Sequence, residues 1–225
     1  MQQLAYAHVA PPLGQSQRQD QGTTLACGQK ALATLFRPLK RNAFNSRIRR
    51  VKLVVFDVDG VLTDGTVFLT PEGKEIKAFN VLDGAGIKYL GRAGVGVAIL
   101  SGRRASAVNH RARELGIAHV LQGCKRKLEG LDILAGRAKV SLAEICFVGD
   151  DLPDIPVMRK VGLAVAVPGA RPEVKGVAHW VTRAAGGHGA AREVAERILK
   201  VQGKWNGIMA RYRADSRGSP IGAPR

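Results

Sequence analysis

The sequence predicts an α/β fold of the Rossmann-like, doubly wound type, with a mainly parallel sheet and helices on both faces. Short apolar runs recur along the chain without the period-two alternation of half-exposed strands, as expected for parallel strands that are buried on both faces. Amphipathic stretches of helical length separate these runs, and this regular succession is typical of βαβ units. The length of 225 residues and the hydrophobic content of 45% suffice for one packed core with appendages.

Each apolar run predicts one strand of this sheet. The six runs are Leu53–Phe56, Val95–Leu100, Ala118–Leu121, Ile145–Val148, Leu163–Val167 and His179–Val181. The amphipathic stretches predict five helices, which are Ala85–Arg92, Ala105–Leu115, Lys127–Ala138, Pro153–Val161 and Ala190–Gln202. One segment after the first strand departs from this succession, because Thr66–Leu69 and Lys74–Ala78 flank a turn at residues 70–73. They predict a β-hairpin that projects from the sheet.

The two ends of the chain differ in composition from the middle. Residues 1–50 are rich in Gln, Pro, Gly and Arg, and Asp20 is their only acidic residue. They are predicted to be a disordered or low-structure basic extension or an over-long start-site assignment, with a transit peptide as the alternative. Residues 205–225 are predicted to be a basic, flexible tail, so that the folded domain spans residues 51–204.

The net charge of +17 is of the kind that nucleic-acid-binding proteins carry, but its distribution argues against that class. Residues 1–50 hold eight Lys and Arg against one acid, and residues 204–225 hold five against one. The middle retains a modest basic excess, which suits a small anionic substrate equally well. We therefore do not expect nucleic acid as a partner.

Cysteine usage and hydropathy exclude two further classes. The three cysteines Cys27, Cys124 and Cys146 are widely spaced, which argues against a disulfide framework or a zinc site and fits a reducing compartment. No apolar run approaches the roughly 18 residues that a membrane span requires. We expect a cytoplasmic protein without a membrane anchor.

Polar side chains that can carry chemistry follow four of the predicted strands, where ligands of open α/β sheets bind. Asp57 and Asp59 follow the first strand, and the residues Ser101, Gly102 and Arg103 follow the second. Lys127 lies in the segment after the third strand. Asp150 and Asp151 follow the fourth. We expect these side chains to meet at one edge of the sheet.

This set of side chains predicts metal-assisted phosphoryl transfer. Asp57 and Asp59 are two residues apart, so an extended backbone points both carboxylates to one side, where they repel each other unless a cation lies between them. Mg²⁺ prefers such oxygen ligands and shares phosphate oxygens. Asp57 is then the candidate nucleophile and Asp59 the general acid and base. Ser101 and Lys127 are candidates for holding the phosphate oxygens.

The four motifs that carry these residues resemble those of the haloacid dehalogenase superfamily. They are Asp57-Val58-Asp59-Gly60-Val61, Ser101-Gly102-Arg103, Lys127 and Gly149-Asp150-Asp151-Leu152-Pro153-Asp154. Over about residues 51–204 the chain resembles still more closely one group within that superfamily, the phosphatases of 3-deoxy-D-manno-octulosonate 8-phosphate, which feed lipopolysaccharide synthesis. The stretches that carry this closer resemblance are Phe79-Asn80-Val81, Asp83-Gly84 and residues 185–190.

The resemblance implies roles for residues that composition and spacing do not assign. It implies a magnesium ion held by the Asp57 side chain, the Asp59 carbonyl and Asp150. The residues implied to support the site are Asp151, Asp154, Gly187 and His188. The residues implied to bind the sugar phosphate are Asn80, Val81, Asp83, Gly84, Lys88, Gly102, Arg103, Arg111 and Lys127. It also implies the absence of a large cap domain and a homotetramer, in which the hairpins form a barrel and residues 186–190 close a neighbour's site.

Two positions depart from the family pattern. Leu82 stands where the pattern has arginine, and leucine cannot pair with a substrate carboxylate. His188 stands where arginine or lysine is common, so a titratable group replaces a permanent cation. A related sugar acid, 2-keto-3-deoxynononate 9-phosphate, is therefore an alternative substrate. A phospho-receiver domain is a rival of another class, but its acidic pair follows the first strand, whereas here the pair follows the fourth.

Overall fold

A six-stranded, all-parallel sheet forms the centre of the part of the chain that this computed structural model describes, residues 41–214. In chain order the strands are β1 (Leu53–Phe56), β2 (Phe68–Leu69), β3 (Glu75–Ile76), β4 (Gly96–Leu100), β5 (His119–Leu121), β6 (Ile145–Gly149), β7 (Leu163–Ala166) and β8 (Trp180–Val181). The order across the main sheet is β5-β4-β1-β6-β7-β8, and β2 and β3 pair separately as an antiparallel hairpin.

The helices follow the strands in the succession that the sequence predicts. They are α1 (Arg41–Arg49), α2 (Val81–Arg92), α3 (Ser106–Leu115), α4 (Lys127–Ala138), α5 (Ile155–Met158), α6 (Pro172–Val177), α7 (Ala190–Val201) and α8 (Trp205–Ala214). Each of the six predicted main-sheet strands and five predicted helices has a counterpart here. The predicted fold class is confirmed.

The register of the central strand β1 decides where the polar residues meet. Its last residue, Phe56, lies beside Ile99 of β4 and Val148 of β6. The three strands therefore end at nearly the same level, and the residues that follow them share one edge. The backbone N–H of Asp57 donates to the carbonyl of Val148 at 3.0 Å and extends this alignment by one residue.

The core consists of aliphatic side chains on both faces of the sheet. Every residue of β1, β6 and β7 is buried, which explains why these strands appear in the sequence as continuous apolar runs. The largest fully buried side chains include Phe56 and Phe147 within the sheet and Leu131 and Leu134 of α4. This packing supplies the rigid platform on which the strand ends present their side chains.

Helix α2 begins earlier than the amphipathic pattern predicts. Asn80 precedes it and accepts a 2.7 Å hydrogen bond from the N–H of Leu82, which is the geometry of an N-cap. The side chains of Val81 and Leu82 are exposed, so the apolar residues of the first turn do not follow the periodicity that would indicate the start of a helix. The predicted helix at Pro153–Val161 is shorter than expected, because Leu152–Asp154 form a 3₁₀ turn before α5.

Ordered structure extends beyond the predicted limits of the folded domain at both ends. Helix α1 lies within the predicted extension, yet Ile48 is fully buried and the ring of Phe44 meets Trp180 edge to face at 6.3 Å. Helix α8 lies within the predicted tail, where Trp205 meets Tyr89 at 6.0 Å. Helices of nine or ten residues are marginal in isolation, so these tertiary contacts provide the stability that their sequences lack.

The remaining parts of the predicted extension and tail lie outside the described residues. Among the helices of residues 41–214, none combines the length and the apolar character that a membrane crossing demands.

Candidate active site

Asp57 lies directly after β1 and is only 6% exposed. Its Oδ1 accepts a 2.7 Å hydrogen bond from the N–H of Val58, and its Oδ2 lies 2.8 Å from Nζ of Lys127. One carboxylate oxygen is therefore held by the backbone and the other by an ammonium group, so the side chain has a defined orientation at the edge of the sheet.

Lys127 is the first residue of α4 and is almost fully buried. Its Nζ contacts Asp57 as described and lies 2.6 Å from Oδ1 of Asp154. Burial lowers the pKa of Lys127, but the two carboxylates outweigh that effect and hold its pKa above the usual value. Lys127 is thus a charged group between two strand ends rather than a solvated helix lysine.

Asp154 supports the site by accepting hydrogen bonds from the residues around it. It is fully buried, and its Oδ2 accepts hydrogen bonds from the N–H groups of Asp150 at 3.0 Å and Asp151 at 3.2 Å. Both oxygens of Asp154 are therefore used within the protein. Gly149 permits this arrangement, because a Cβ at that position would lie 2.6 Å from Asp154 Oδ2.

Asp150 differs from Asp154 because one of its carboxylate oxygens has no hydrogen-bond partner. Its Oδ1 is buried and makes no hydrogen bond, although a buried polar atom normally has a partner. Burial first, and then the negative charges of Asp57 and Asp154, raise the pKa of Asp150 to about 7. Burial is also the main cause that raises the pKa of Asp57 to about 6, against the opposing effect of Lys127.

A divalent cation fits this group of carboxylates. Oxygen atoms of Asp57, Asp150 and Asp154 lie within 4.8 Å of one another, and Asp154 already has its hydrogen bonds. Oδ1 of Asp150 has no hydrogen-bond partner and is therefore free to bind a cation, and the carboxylate of Asp57, held by Val58 and Lys127, lies in the same group. Gly60 leaves the necessary space, since a Cβ there would lie 2.1 Å from Asp150 Oδ2. Oxygen ligands of this kind suit Mg²⁺.

A cavity of about 450 Å³ opens beside these carboxylates. Its lining brings together the predicted strand-end residues, which are Asp57, Asp59, Ser101, Gly102, Arg103, Lys127, Asp150 and Asp151. Ser101 is buried and its Oγ accepts a 3.2 Å hydrogen bond from the N–H of Arg103 within the turn after β4. The exposed cation Lys125 also lines the cavity. The site can therefore accommodate a small anion next to a buried carboxylate.

Asp59 is held by residues of the hairpin that the sequence did not single out. Its Oδ1 accepts a hydrogen bond from Lys77, whose side chain is 2% exposed. Glu75 lies 3.2 Å from Lys77 Nζ and also accepts a hydrogen bond from Arg103. In the sequence these residues belong to a short polar strand, and nothing in their spacing connects them to Asp59.

Comparison with known proteins decides the family. The chain is 43% identical over 174 residues to the 3-deoxy-D-manno-octulosonate 8-phosphate phosphatase of Escherichia coli K12, and the matched region covers 77% of this chain and 92% of that protein. This chain belongs to that phosphatase family. A family model described as haloacid dehalogenase-like hydrolase matches residues 117–194.

Solved structures of phosphatases agree with this assignment. The phosphatase of Moraxella catarrhalis, crystallised with magnesium ion, phosphate ion and the sugar acid KDO, has a TM-score of 0.75 at 38% identity. That comparison covers 77% of this chain and 99% of the other. A probable phosphatase of Pseudomonas syringae has a TM-score of 0.74 at 48% identity, over 76% and 97% of the two chains. The fold is thus that of the haloacid dehalogenase-like phosphatases without a large cap.

Several residues that the family resemblance implied as sugar ligands lie away from the cavity in this chain. Asn80, Asp83, Gly84 and Arg111 line a second, very small cavity at the start of α2. Val81 and Lys88 are exposed on the same helix. The structure therefore does not bring these six residues to the carboxylate site of their own chain.

Asp83 has a clear structural function that the sequence did not reveal. Its carboxylate accepts hydrogen bonds from the N–H of Gly189 at 3.1 Å and of Arg192 at 2.9 Å, at the start of α7. Burial raises the pKa of Asp83, and these N–H groups oppose that effect. Asp83 thus caps a helix that is distant in the sequence.

The Gly-rich segment before α7 packs against the loop after β1 in the same chain. The N–H of Gly187 donates to the carbonyl of Val61 at 2.9 Å, and a Cβ on Gly186 would lie 1.8 Å from the carbonyl oxygen of Gly60. His188 is exposed, and its Nδ1 lies 2.9 Å from the carbonyl of Gly186. The segment supports the loop that carries Asp59, whereas its expected contact with a neighbouring subunit remains a prediction.

Proposed function

We propose that this protein hydrolyses 3-deoxy-D-manno-octulosonate 8-phosphate to the free sugar acid and inorganic phosphate in a magnesium-dependent reaction. The observation that carries the proposal is the buried carboxylate of Asp57 beside Lys127 and the unsatisfied Asp150, at the edge of a cavity of about 450 Å³. The substrate class is supported by the family, because its relatives are phosphatases of 3-deoxy-D-manno-octulosonate 8-phosphate.

Asp57 is the proposed nucleophile. One of its carboxylate oxygens forms a bond to phosphorus while the bond from phosphorus to the sugar oxygen breaks, which gives an aspartyl phosphate and the sugar alcohol. Water then attacks the phosphorus and releases inorganic phosphate with the carboxylate restored. Asp57 suits this role because it combines burial with a fixed orientation toward the cavity.

Asp59 is the proposed proton carrier for both steps. It gives a proton to the departing sugar oxygen and then takes one from the attacking water. Ser101, Lys127 and the backbone at Gly102 are proposed to hold the phosphate oxygens while negative charge moves across them. Arg103, which is half exposed at the mouth of the cavity, is proposed to meet the acid end of the sugar.

Magnesium is proposed to be held by the side chains of Asp57 and Asp150 and by the backbone carbonyl of Asp59, with Asp151 and Asp154 as supports. When bound, the ion neutralises the carboxylates and the incoming phosphate, so that an anionic nucleophile can approach an anionic substrate. The buried, unpaired oxygen of Asp150 is the structural reason to expect an ion here.

The test is a phosphate-release assay over a panel of sugar phosphates, with and without Mg²⁺. We expect the eight-carbon sugar acid phosphate to be hydrolysed with the highest kcat/KM and activity to disappear when the metal is chelated. A higher kcat/KM for the nine-carbon 2-keto-3-deoxynononate 9-phosphate would instead favour the alternative substrate, which the leucine at position 82 leaves open.

The variant Asp57→Asn addresses the nucleophile directly. It should fold normally and lose turnover by several orders of magnitude, because an amide cannot form the acyl phosphate. Asp132→Asn, an exposed aspartate on α4, is the matched control and should retain full activity. Normal turnover in Asp57→Asn would refute the nucleophile assignment.

We also propose that the protein is a homotetramer assembled through its hairpins, and that it acts in the cytoplasm. A two-stranded hairpin is marginally stable by itself. Here it exposes apolar side chains, and those more than 40% exposed are Val67, Phe68, Leu69 and Ile76. Exposed apolar side chains that cluster on a projecting element are typical of a protein interface.

A further inference from the structure

Lys77 is the most deeply buried charged side chain of the hairpin, yet it is not part of the strand-end motifs. Its side chain is 2% exposed, and lysine is rarely buried to this extent without a partner. Its partners are Asp59, which accepts its hydrogen bond, and Glu75, whose Oε2 lies 3.2 Å from Nζ. The buried ammonium group is therefore compensated by two carboxylates, of which that of Asp59 lines the active-site cavity.

The alternation of side chains along β3 and the residue after it explains why Lys77 and Glu75 reach Asp59 and Arg103, which line the cavity. Successive side chains of a strand point to opposite faces, so Glu75 and Lys77 share one face and Ile76 lies on the other. Ile76 is 55% exposed and is paired with Phe68 across the hairpin. One face of β3 is thus directed toward the site and the other toward solvent.

The contacts of Lys77 determine where the carboxylate of Asp59 lies. Lys77 engages Oδ1, and Oδ2 lies 3.9 Å from Nε of Arg103, which lines the cavity. The carboxylates that could hold a metal among the described residues are those of Asp57, Asp150 and Asp154, and Asp59 is not with them, although it is two residues from Asp57. The side chain of Asp59 is therefore directed toward the hairpin side of the cavity.

We propose that Lys77 is a positioning residue that holds the carboxylate of Asp59 on the leaving-group side of the cavity, with Glu75 fixing both Lys77 and Arg103. The inference rests on the proposed function, in which Asp59 gives a proton to the departing sugar oxygen. A displacement of about 1 Å between such a group and its target can reduce the rate about 100-fold. The ammonium group of Lys77, on the hairpin, thus fixes the position of the Asp59 carboxylate, on the loop after β1.

The experiment compares two substrates that differ in their need for that proton. Departure of a sugar alcohol requires protonation, whereas p-nitrophenolate leaves readily without it, and kcat/KM for both reports the step that forms the aspartyl phosphate. In Lys77→Met we expect kcat/KM to fall about 100-fold for 3-deoxy-D-manno-octulosonate 8-phosphate and only a few-fold for p-nitrophenyl phosphate. Lys77→Arg, which retains a cation, should show the same selectivity with a smaller loss.

Two further measurements make the outcome decisive. Lys74→Met, an exposed lysine of the same hairpin, should leave both substrates unaffected. Inhibition by the free sugar acid should be unchanged in the Lys77 variants, and a parallel loss of inhibition would show that Lys77 binds the sugar instead. Equal losses for both substrates in Lys77→Met and Lys77→Arg would show a structural function only, and either result overturns the inference.

Asp59→Asn separates this inference from the proposed function. It should lose activity selectively toward the sugar phosphate, as Lys77→Met does. If Asp59→Asn shows that selectivity and the Lys77 variants do not, the positioning inference is wrong and the proposed function stands. If Asp59→Asn shows no selectivity, the proton-transfer assignment is wrong and the inference falls with it.

Discussion

At the scale of single residues, the carboxylate of Asp150 destabilises the folded protein as long as no metal is bound. Its Oδ1 has no partner, and burial together with two neighbouring carboxylates raises its pKa to about 7. An ionised carboxylate in these surroundings destabilises the folded state until a cation joins it. The residue that would bind the metal therefore reduces the stability of the free protein.

Asp150→Asn should separate stability from metal binding. Removing the charge should stabilise the metal-free protein by about 1–2 kcal/mol, less than the full pKa shift implies because the carboxyl is partly solvated. The same change should abolish the rise in melting temperature that Mg²⁺ produces in the unmodified protein. Thermal unfolding with and without Mg²⁺ measures both effects.

Asp132, an exposed aspartate of α4 that does not line the cavity, is the control. Asp132→Asn should keep both the stability and the response to Mg²⁺. An unchanged magnesium response in Asp150→Asn would remove Asp150 from the proposed ligands.

His179 gives the fold a dependence on pH that is independent of the active site. Its Nδ1 accepts a 2.8 Å hydrogen bond from the N–H of Ala164, and burial, with a smaller effect of Arg47, lowers its pKa. Below its unfolded-state pKa of about 6.5 the unfolded chain binds a proton that the folded chain resists. The stabilising contribution of neutral His179 is therefore present above about pH 6.5 and declines as the pH falls.

His179→Asn should flatten the part of the pH dependence that this residue causes, because an amide oxygen can accept the same hydrogen bond without titrating. The measurement is the free energy of unfolding between pH 7.5 and pH 5.5, about one unit either side of the reference value for histidine. The exposed His110 is the control, and His110→Asn should leave the curve as it is. A curve of the same slope in His179→Asn would contradict this assignment.

At the scale of secondary-structure elements, contacts at the ends of helices connect segments that are distant in the sequence. The first turn of α2 supplies Asp83, whose carboxylate caps α7 and fixes the Gly-rich segment before it. That segment in turn lies against the loop after β1, through Gly187 and Val61. The N-terminus of α2 is thus connected through two contacts to the loop that presents Asp59.

Asp83→Ala should destabilise the fold by about 1–3 kcal/mol, since it leaves the N–H groups of Gly189 and Arg192 without their acceptor. Asp83→Asn, with one remaining acceptor, should have an intermediate effect. Urea unfolding gives the free energies, and amide hydrogen exchange at Gly189 should show faster local opening. Asp132→Ala on the exposed face of α4 is the control and should change neither quantity.

At the scale of the whole molecule, one face of the hairpin serves the active site in this proposal and the other serves assembly. One face brings Glu75 and Lys77 to the active site, and the other exposes Phe68 and Ile76. A hairpin that assembles with its copies would be fixed in place, and its charged face would then be fixed over the cavity. Assembly and catalysis are coupled in this proposal through a single short strand.

Ile76→Lys should dissociate the proposed tetramer, because a buried lysine without a partner at the interface is unfavourable. Sedimentation velocity should show a smaller species, and the sugar phosphatase activity should decrease with it as Lys77 loses its support. Ile133→Lys, at an exposed isoleucine of α4, should retain the assembly of the unmodified protein. A monomer in the unmodified protein would refute the proposal at once.

The sequence by itself determined the sheet and the main residues of the site. Strands buried on both faces need continuous apolar runs, so β1, β6 and β7 were visible without any knowledge of their neighbours. Because parallel strands end at one edge, the polar residues after them could be placed together before any distance was known. Asp57, Ser101 and Asp150 follow from this local pattern.

Only the tertiary structure decided which other groups hold these residues in place. Lys77 and Asp59 are 18 residues apart, and Asp83 and Gly189 are 106 apart, so no local window of sequence contains either pair. Helix α1 likewise depends on docking Ile48 into the core rather than on its own weak helical pattern. Periodicity reports which face of an element is buried, whereas the partners that a polar group finds depend on how distant segments pack.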